Sequence, residues 1–254
     1  MDSLGTKIAL YVEKLKSLED WDSFLMQESG LPGPRGNLEL AQAFAEIANE
    51  QTIKRYISLK PDQAPNNAPE GFLAFCGVIG LGTLISKGKH NYLKQLRQFA
   101  SDSRWRIRES VAMALQIVGD SDIDFLLCEM KEWSRGNLFE KRATIAALCE
   151  PRLLTSEKVA DIVLDILDEV TSSIAGSKDM EDEGFDVLKK GLAYCWSVAV
   201  VAYPEKGKKL IEKWARSKDK TIRLIIRENL KKNRLLKMDK EWVSNQTARL
   251  NKQP

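Results

Sequence analysis

The sequence predicts an all-α protein made of stacked helical hairpins. Apolar residues recur at spacings of three and four, as in Val159–Val170 (VADIVLDILDEV), and no strand-like alternation joined by Asn-Gly or Asp-Gly turns occurs. A register of aromatic, cationic and aliphatic positions also recurs along the chain. Together they predict about a dozen helices, punctuated at Gly30–Gly36, Lys60–Pro69, Gly119-Asp120, Gly136-Asn137, Pro151, Gly176 and Pro204. The expected organisation is one domain over residues 1–254, with divergent helices in 1–88, clearer repeats in 89–236 and a C-terminal helix and tail in 237–254.

The start, Met1-Asp2-Ser3-Leu4-Gly5, lacks a basic segment followed by an apolar one, so no signal peptide is expected. The first irregular segment, Gly30-Leu31-Pro32-Gly33-Pro34-Arg35-Gly36-Asn37, leads into a helix with Asn37 as its N-cap. Two readings stand: a rigid connector, or an anion-binding loop in which Gly33, Arg35, Gly36 and Asn37 hold a phosphate or carboxylate. The Gly-Lys-Ser/Thr ending of a P-loop is missing. Next, Phe72–Ile85 is a 14-residue apolar run, short of the roughly 20 residues a membrane span needs. It reads as a buried helix in which Gly77, Gly80 and Gly82 allow close backbone approach. Cys76, Cys128, Cys149 and Cys195 stand singly in apolar runs and read as core residues of a reducing compartment. The expected address is the cytoplasm.

The repeats emerge by aligning Phe99–Arg108, Trp133–Arg142 and Trp214–Arg223, in each of which an aromatic residue precedes an Arg by nine positions. Aliphatic or small residues follow three later (Val111, Ile145, Ile226) and seven later (Leu115, Cys149, Leu230). The interval between Arg108 and Arg142 is 34 residues, and the same interval before Arg223 falls on Lys189, with Leu192 and Trp196 at the matching positions. That unit's extra length falls on the acidic stretch Gly176–Gly184, as a loop insertion. Each unit reads as helix, tight turn, helix. A single hairpin cannot bury its apolar face, so hairpins must stack. The cation early in the second helix is read first as a brace to carbonyls or carboxylates between repeats.

The pattern resembles the HEAT repeat family, in which an Asp-containing turn precedes a hydrophobic-Arg pair and a small, aliphatic second helix. Ser101–Leu115 fits closely, Ser217–Arg223 fits the turn, and Arg142 keeps the Arg and its apolar neighbours; the likeness covers about residues 90–235. The resemblance implies a right-handed superhelical solenoid of antiparallel helix pairs, whose curved surface binds another protein without catalysis. More distantly, the chain is similar to HEAT-like bacterial DNA alkylation repair glycosylases in size and in its cationic second helices, but their Trp-Trp-Asp tripeptide is absent.

No catalytic constellation is present. His90 is the single histidine, in the expected surface turn Lys87–Asn91, and no Gly-x-Ser-x-Gly, Cys-x-x-Cys or His-Glu-x-x-His occurs. No catalytic residue, metal or cofactor is expected. Net charge is +3, but Pro204–Pro254 carries +10 and the first 203 residues −7. The acidic side is densest over Asp161–Asp186, with nine carboxylates against one Lys. Such polarity can attract a polyanion, or support weak self-association end to end. Arg223, Arg227, Lys231 and Arg234 are spaced as one helical stripe. With Arg104, Arg106, Arg108, Lys141, Arg142, Lys189 and Lys190 they are the candidate partner- or phosphate-binding residues, and Trp105, Trp196 and Trp214 the candidate base-stacking ones. The leading expectation is a protein partner; nucleic acid on the basic stripe is the alternative. The acidic Gly176–Gly184 insertion is a further candidate, docking a basic partner or the basic end of a second copy. No membrane association is expected.

Overall fold

The computed structural model describes residues 3–177 and 182–251. Among the described residues there are fifteen α-helices, one 3-10 turn and no strand. Contacts group them into two compact units, residues 1–122 and 123–254.

The first unit contains α1 (Ser3–Lys16), α2 (Asp22–Gln27), α3 (Leu38–Ile47), α4 (Glu50–Ile57), α5 (Pro69–Ser86), a 3-10 turn (His90–Tyr92), α6 (Leu93–Phe99) and α7 (Trp105–Ser121). Its centre is α5, which packs against α2, α3, α4 and α7. Pro69 opens this helix, where a missing N–H costs nothing. Within Phe72–Ile85 every residue but Thr83 is buried. The helix is long and apolar enough to cross a membrane by length and composition, yet 78% of that window lies inside the fold. The expected glycine contacts are present. A Cβ on Gly82 would lie 2.4 Å from the Ala114 carbonyl oxygen of α7. A Cβ on Gly77 or Gly80 would lie 2.7 Å from Tyr56 Cβ or 2.8 Å from Ile53 Cγ1 of α4, respectively. The predicted break at Gly119-Asp120 is not there, because α7 runs on to Ser121. Gly119 is buried, and packing outweighs the roughly 1 kcal/mol helix penalty of an internal glycine.

Near the chain start, Phe44 stacks on Tyr56 and meets Trp21 edge-on. The Tyr56 hydroxyl and the Arg55 guanidinium both donate to the Asp22 carboxylate, Arg55 through two nitrogens. Hydrogen bonding from Arg55 holds the Asp22 carboxyl below its ordinary value, while burial pushes the Tyr56 phenol up. A carboxyl depressed in the folded state stabilises the fold above its unfolded pKa, and that contribution is lost as pH falls through the folded value. Asp22→Asn is therefore expected to lower the denaturation midpoint at pH 7, with the gap to the parent closing below about pH 4. Urea titrations at a series of pH values check this; a gap that stays constant in acid contradicts it.

The second unit contains α8 (Ile123–Trp133), α9 (Leu138–Leu148), α10 (Glu157–Ile174), α11 (Glu183–Ala202), α12 (Pro204–Ala215), α13 (Lys220–Leu230), α14 (Asn233–Met238) and α15 (Lys240–Asn251). Helices α9, α11 and α13 pack successively as one layer, and α8, α10, α12 and α15 as another. The pairs α8/α9, α10/α11 and α12/α13 are the hairpins between the layers. The aligned positions are all interior: Ile145, Cys149, Leu192, Trp196, Ile226 and Leu230 here, and Val111 and Leu115 on α7. Cys76, Cys149 and Cys195 are buried as expected, but Cys128 is exposed. It sits between Leu127 and Met130 on α8, and the buried positions 126, 127 and 130 put it on the outer face.

A buried amide locks the inner layer of this unit. The Asn229 Nδ2 group of α13 donates to the carbonyls of Leu192 (2.9 Å) and Ile225 (2.8 Å), and its Oδ1 accepts from the Ser197 amide of α11 (2.8 Å). Asn229→Leu leaves buried groups on α11 without these partners, at about 1–3 kcal/mol. The expected result is a lower denaturant midpoint with an unchanged slope; an unaltered midpoint would show that the bridge is energetically silent.

Candidate functional site

Most of the candidate cations bond to the protein itself. Arg108 donates from Nη1 to the carbonyls of Asp102 (2.8 Å) and Ser103 (3.4 Å). Arg223 does the same toward Ser217 (3.1 Å) and Lys218 (3.2 Å), six and five residues back. Arg108 and Arg223 thus each brace the turn inside their own hairpin. The geometry is local: an Arg one turn into the second helix reaches back over the preceding turn, whose carbonyls no helix satisfies.

The stripe on the last repeat does not form as one helix. Helix α13 stops at Leu230, so Lys231 lies in a turn and Arg234 on α14. Arg223 is buried, Lys231 pairs with Glu228, and Arg234 donates to the Tyr194 hydroxyl (2.6 Å) over whose ring it stacks. Arg227 alone of the four makes no bond or ion pair among the described residues. Lys189 and Lys190 share Asp186, and hydrogen bonding from Lys190 and then Lys189 depresses that carboxyl to about 2. Lys141 donates to the Ser173 hydroxyl, and Arg142 is half-buried on α9 with bonding partners of its own.

Part of the sequence polarity is bridged in the same way. Lys206 bridges Asp161 and Asp165, each at 2.7 Å, and Lys213 pairs with Asp168. The acidic face of α10 meets the basic face of α12. Of the acidic insertion, residues 178–181 lie outside the described residues. Trp196 and Trp214 are buried and donate inward, to Thr171 and Asp168, so neither offers a stacking face.

In the first unit, by contrast, the Gly-Pro loop and the Arg-rich start of α7 meet around a cavity of about 200 Å³. The loop is held from below. The Asn37 amide N–H donates to the Ser29 carbonyl (2.8 Å), its Oδ1 caps the Leu40 amide (3.1 Å), and its Nδ2 reaches Tyr11 and the Glu28 carbonyl. The Leu31-Pro32 peptide is cis, and a Cβ on Gly33 would collide with the Gly30 carbonyl oxygen at 2.4 Å. Gly36 lies against the Phe72 ring.

Arg106 ties this loop to the rest of the unit, beside Arg104, which braces the neighbouring 59–64 segment. Arg104 grips the Asp102 carboxylate through Nε (2.9 Å) and Nη2 (2.8 Å), and its Nη1 donates to the carbonyls of Leu59 (3.1 Å) and Ala64 (3.2 Å). Arg106 donates from Nε to the Asn66 carbonyl (3.0 Å) and from Nη2 to the Gly33 carbonyl and Asn67. Burial lowers the Arg106 guanidinium below its ordinary value, and its carbon sits 4.3 Å over the Trp105 ring.

The cavity floor is apolar: Leu31, Leu38, Met113 and the stacked pair Phe72 and Phe75, whose ring centroids are 5.9 Å apart. Its rim is Pro34, Arg35, Trp105, Arg106 and Glu109. Trp105 is 42% exposed and lines the same apolar recess as the buried Phe72 and Phe75 rings. Arg35 is exposed and has no bond or ion pair among the described residues. The Trp105 indole N–H and the Arg106 Nη1 are likewise without a partner there. Of the loop residues singled out from sequence, Arg35 alone offers a free charged group: the Gly33 carbonyl and the Asn37 side chain are engaged. Phe72, Phe75, Glu109 and Met113 are the residues that sequence reasoning missed. Phe72 and Phe75 stand three apart on a helix buried nearly all round, so periodicity does not show that their rings line an opening. Comparison with protein-family models, with curated proteins and with solved structures finds no match to this chain.

Proposed function

We propose that this chain is a non-catalytic scaffold of HEAT type, with right-handed antiparallel helix pairs stacked within its units, which binds a protein partner at the cavity between the Gly-Pro loop and α7. The observation that carries the reading is the pairing of exposed Trp105 with the unpartnered Arg35 above an apolar floor. Large aromatics and Arg at the mouth of an apolar recess are the residue types that anchor protein interfaces. The equal reach-back of Arg108 and Arg223 supports the repeat reading, because two separate hairpins use one device.

The test is a photo-reactive residue at Pro34, on the cavity rim. It should capture a discrete protein in cells, and a Trp105→Ala, Arg35→Ala background should abolish capture. Capture of nucleic acid alone, or capture indifferent to those changes, would overturn the reading.

A second reading, nucleic-acid binding, draws on the exposed Trp105 as a stacking platform and on the unpaired Arg227. It requires duplex or single-strand affinity that falls steeply with salt and drops on Arg227→Glu. Release of methylated base from alkylated DNA would extend it to the glycosylase-like alternative.

A further inference from the structure

Three residues lining the same apolar cavity carry N–H donors without a partner among the described residues: Arg35 on its guanidinium, Arg106 on Nη1 and Trp105 on its indole. Arg106 is only 6% exposed, so this guanidinium is part of the built wall. Its Nη1 is nevertheless not sealed, since among the described residues the only fully buried side-chain polar atom without a partner is Gln246 Oε1. The rim is thus rich in donors and carries a single carboxylate, Glu109, which has an interaction of its own within the protein. Its complement is a ligand with a bulky apolar body and an anionic acceptor.

Size and connectivity narrow the ligand further. About 200 Å³ is below the ~300–1,000 Å³ of sites for drug-sized molecules, and suits one large side chain. The apolar group and the anion must therefore leave from nearly the same atom. In an extended segment, neighbouring side chains point to opposite faces and the next on the same face is about 6–7 Å along. An internal acidic residue cannot easily reach Arg35 while its neighbour fills the recess. A chain terminus can, because the last residue bears its side chain and its carboxylate on one Cα. A nucleic acid is the poorer fit: a polyanion needs several free cations, and Arg104, Arg108, Arg223, Lys189, Lys206 and Lys213 are bonded within the protein.

We propose that the cavity captures the C-terminus of a partner protein whose last residue is bulky and apolar, its side chain on Phe72 and Phe75 and its carboxylate on Arg35, Arg106 Nη1 and the Trp105 N–H. This rests on the protein-partner reading above and adds the chemistry of the recognised segment.

The experiment uses the full chain and a library of peptides with free C-termini, followed by Trp fluorescence and calorimetry on those selected. Peptides ending in Phe, Trp, Leu or Met should be enriched. Amidating the terminal carboxylate should weaken binding at least about tenfold, the worth of a charge-assisted pair. Arg35→Gln should weaken the free acid by a similar factor and leave the amide unaffected. Arg35 is exposed and unbonded, so thermal melts of this variant should match the parent. An empty selection, equal binding of acid and amide, preference for internal acidic motifs, or occupancy by oligonucleotides alone would each overturn the proposal. Capture of a protein from Pro34 together with an empty terminal library leaves the scaffold reading standing and removes this one.

Discussion

Arg104→Ala is expected to destabilise the first unit by about 3–5 kcal/mol. The guanidinium is 6% exposed and the Asp102 carboxylate it grips is 12% exposed. Removing the cation strands that carboxylate and the carbonyls of Leu59 and Ala64. Leaving one partner of a buried pair is far costlier than never having built the pair, because the residual charge has lost both water and counter-charge. Three connections meet at this side chain and at Arg106, so the loosening should reach the Gly-Pro loop. Hydrogen exchange should show faster exchange at the Asn37 and Leu40 amides in the variant. Arg35→Ala is the control: an exposed, unbonded Arg should change stability by less than about 0.5 kcal/mol. Equal effects of the two changes would refute the assignment of one as structural and the other as available for binding.

Gly82→Val should be at least as damaging. The added Cβ alone would lie 2.4 Å from the Ala114 oxygen and 2.7 Å from its Cα. Both are backbone atoms of a helix, so no side chain can swing aside, and α5 and α7 must separate along their contact. Overpacking of a tight core costs roughly 1–3 kcal/mol and can exceed that where backbone must move. The expected outcome is loss of the cooperative unfolding transition, or a midpoint shift far larger than that of Gly5→Ala. Gly5 is exposed on α1 and has nothing within 4 Å of its would-be Cβ, so alanine there should stabilise by about 0.5–1 kcal/mol. A folded Gly82→Val protein with parental stability would disprove the close approach.

Linear charge counts do not show which charged groups pair in space. Counted along the chain, the acidic Asp161–Asp168 stretch and the basic residues after Pro204 look like two poles available to partners. In space the two meet in part, since Lys206 and Lys213 of α12 pair with Asp161, Asp165 and Asp168 of α10. The Arg223–Arg234 stripe went astray for a related reason. Helical spacing holds only as far as Leu230, where the backbone turns, and a three-residue interval beyond the turn does not measure a face.

By itself the sequence determined the all-α class, most of the breaks between helices and the burial of Phe72–Ile85. These depend on periodicity and on residues within one or two turns, which the linear order contains. The turn braces at Arg108 and Arg223 are local in the same sense, six residues or fewer in reach. Only the tertiary structure decided which cations remain available and where a recess opens. The cavity draws on residues near 35, 72 and 105, and Arg106 reaches Gly33 across 73 positions. Whether a charged side chain faces solvent or a carbonyl depends on which distant loop folds against it. Local spacing carries no record of that approach; the packing of α5 between α3 and α7 sets it.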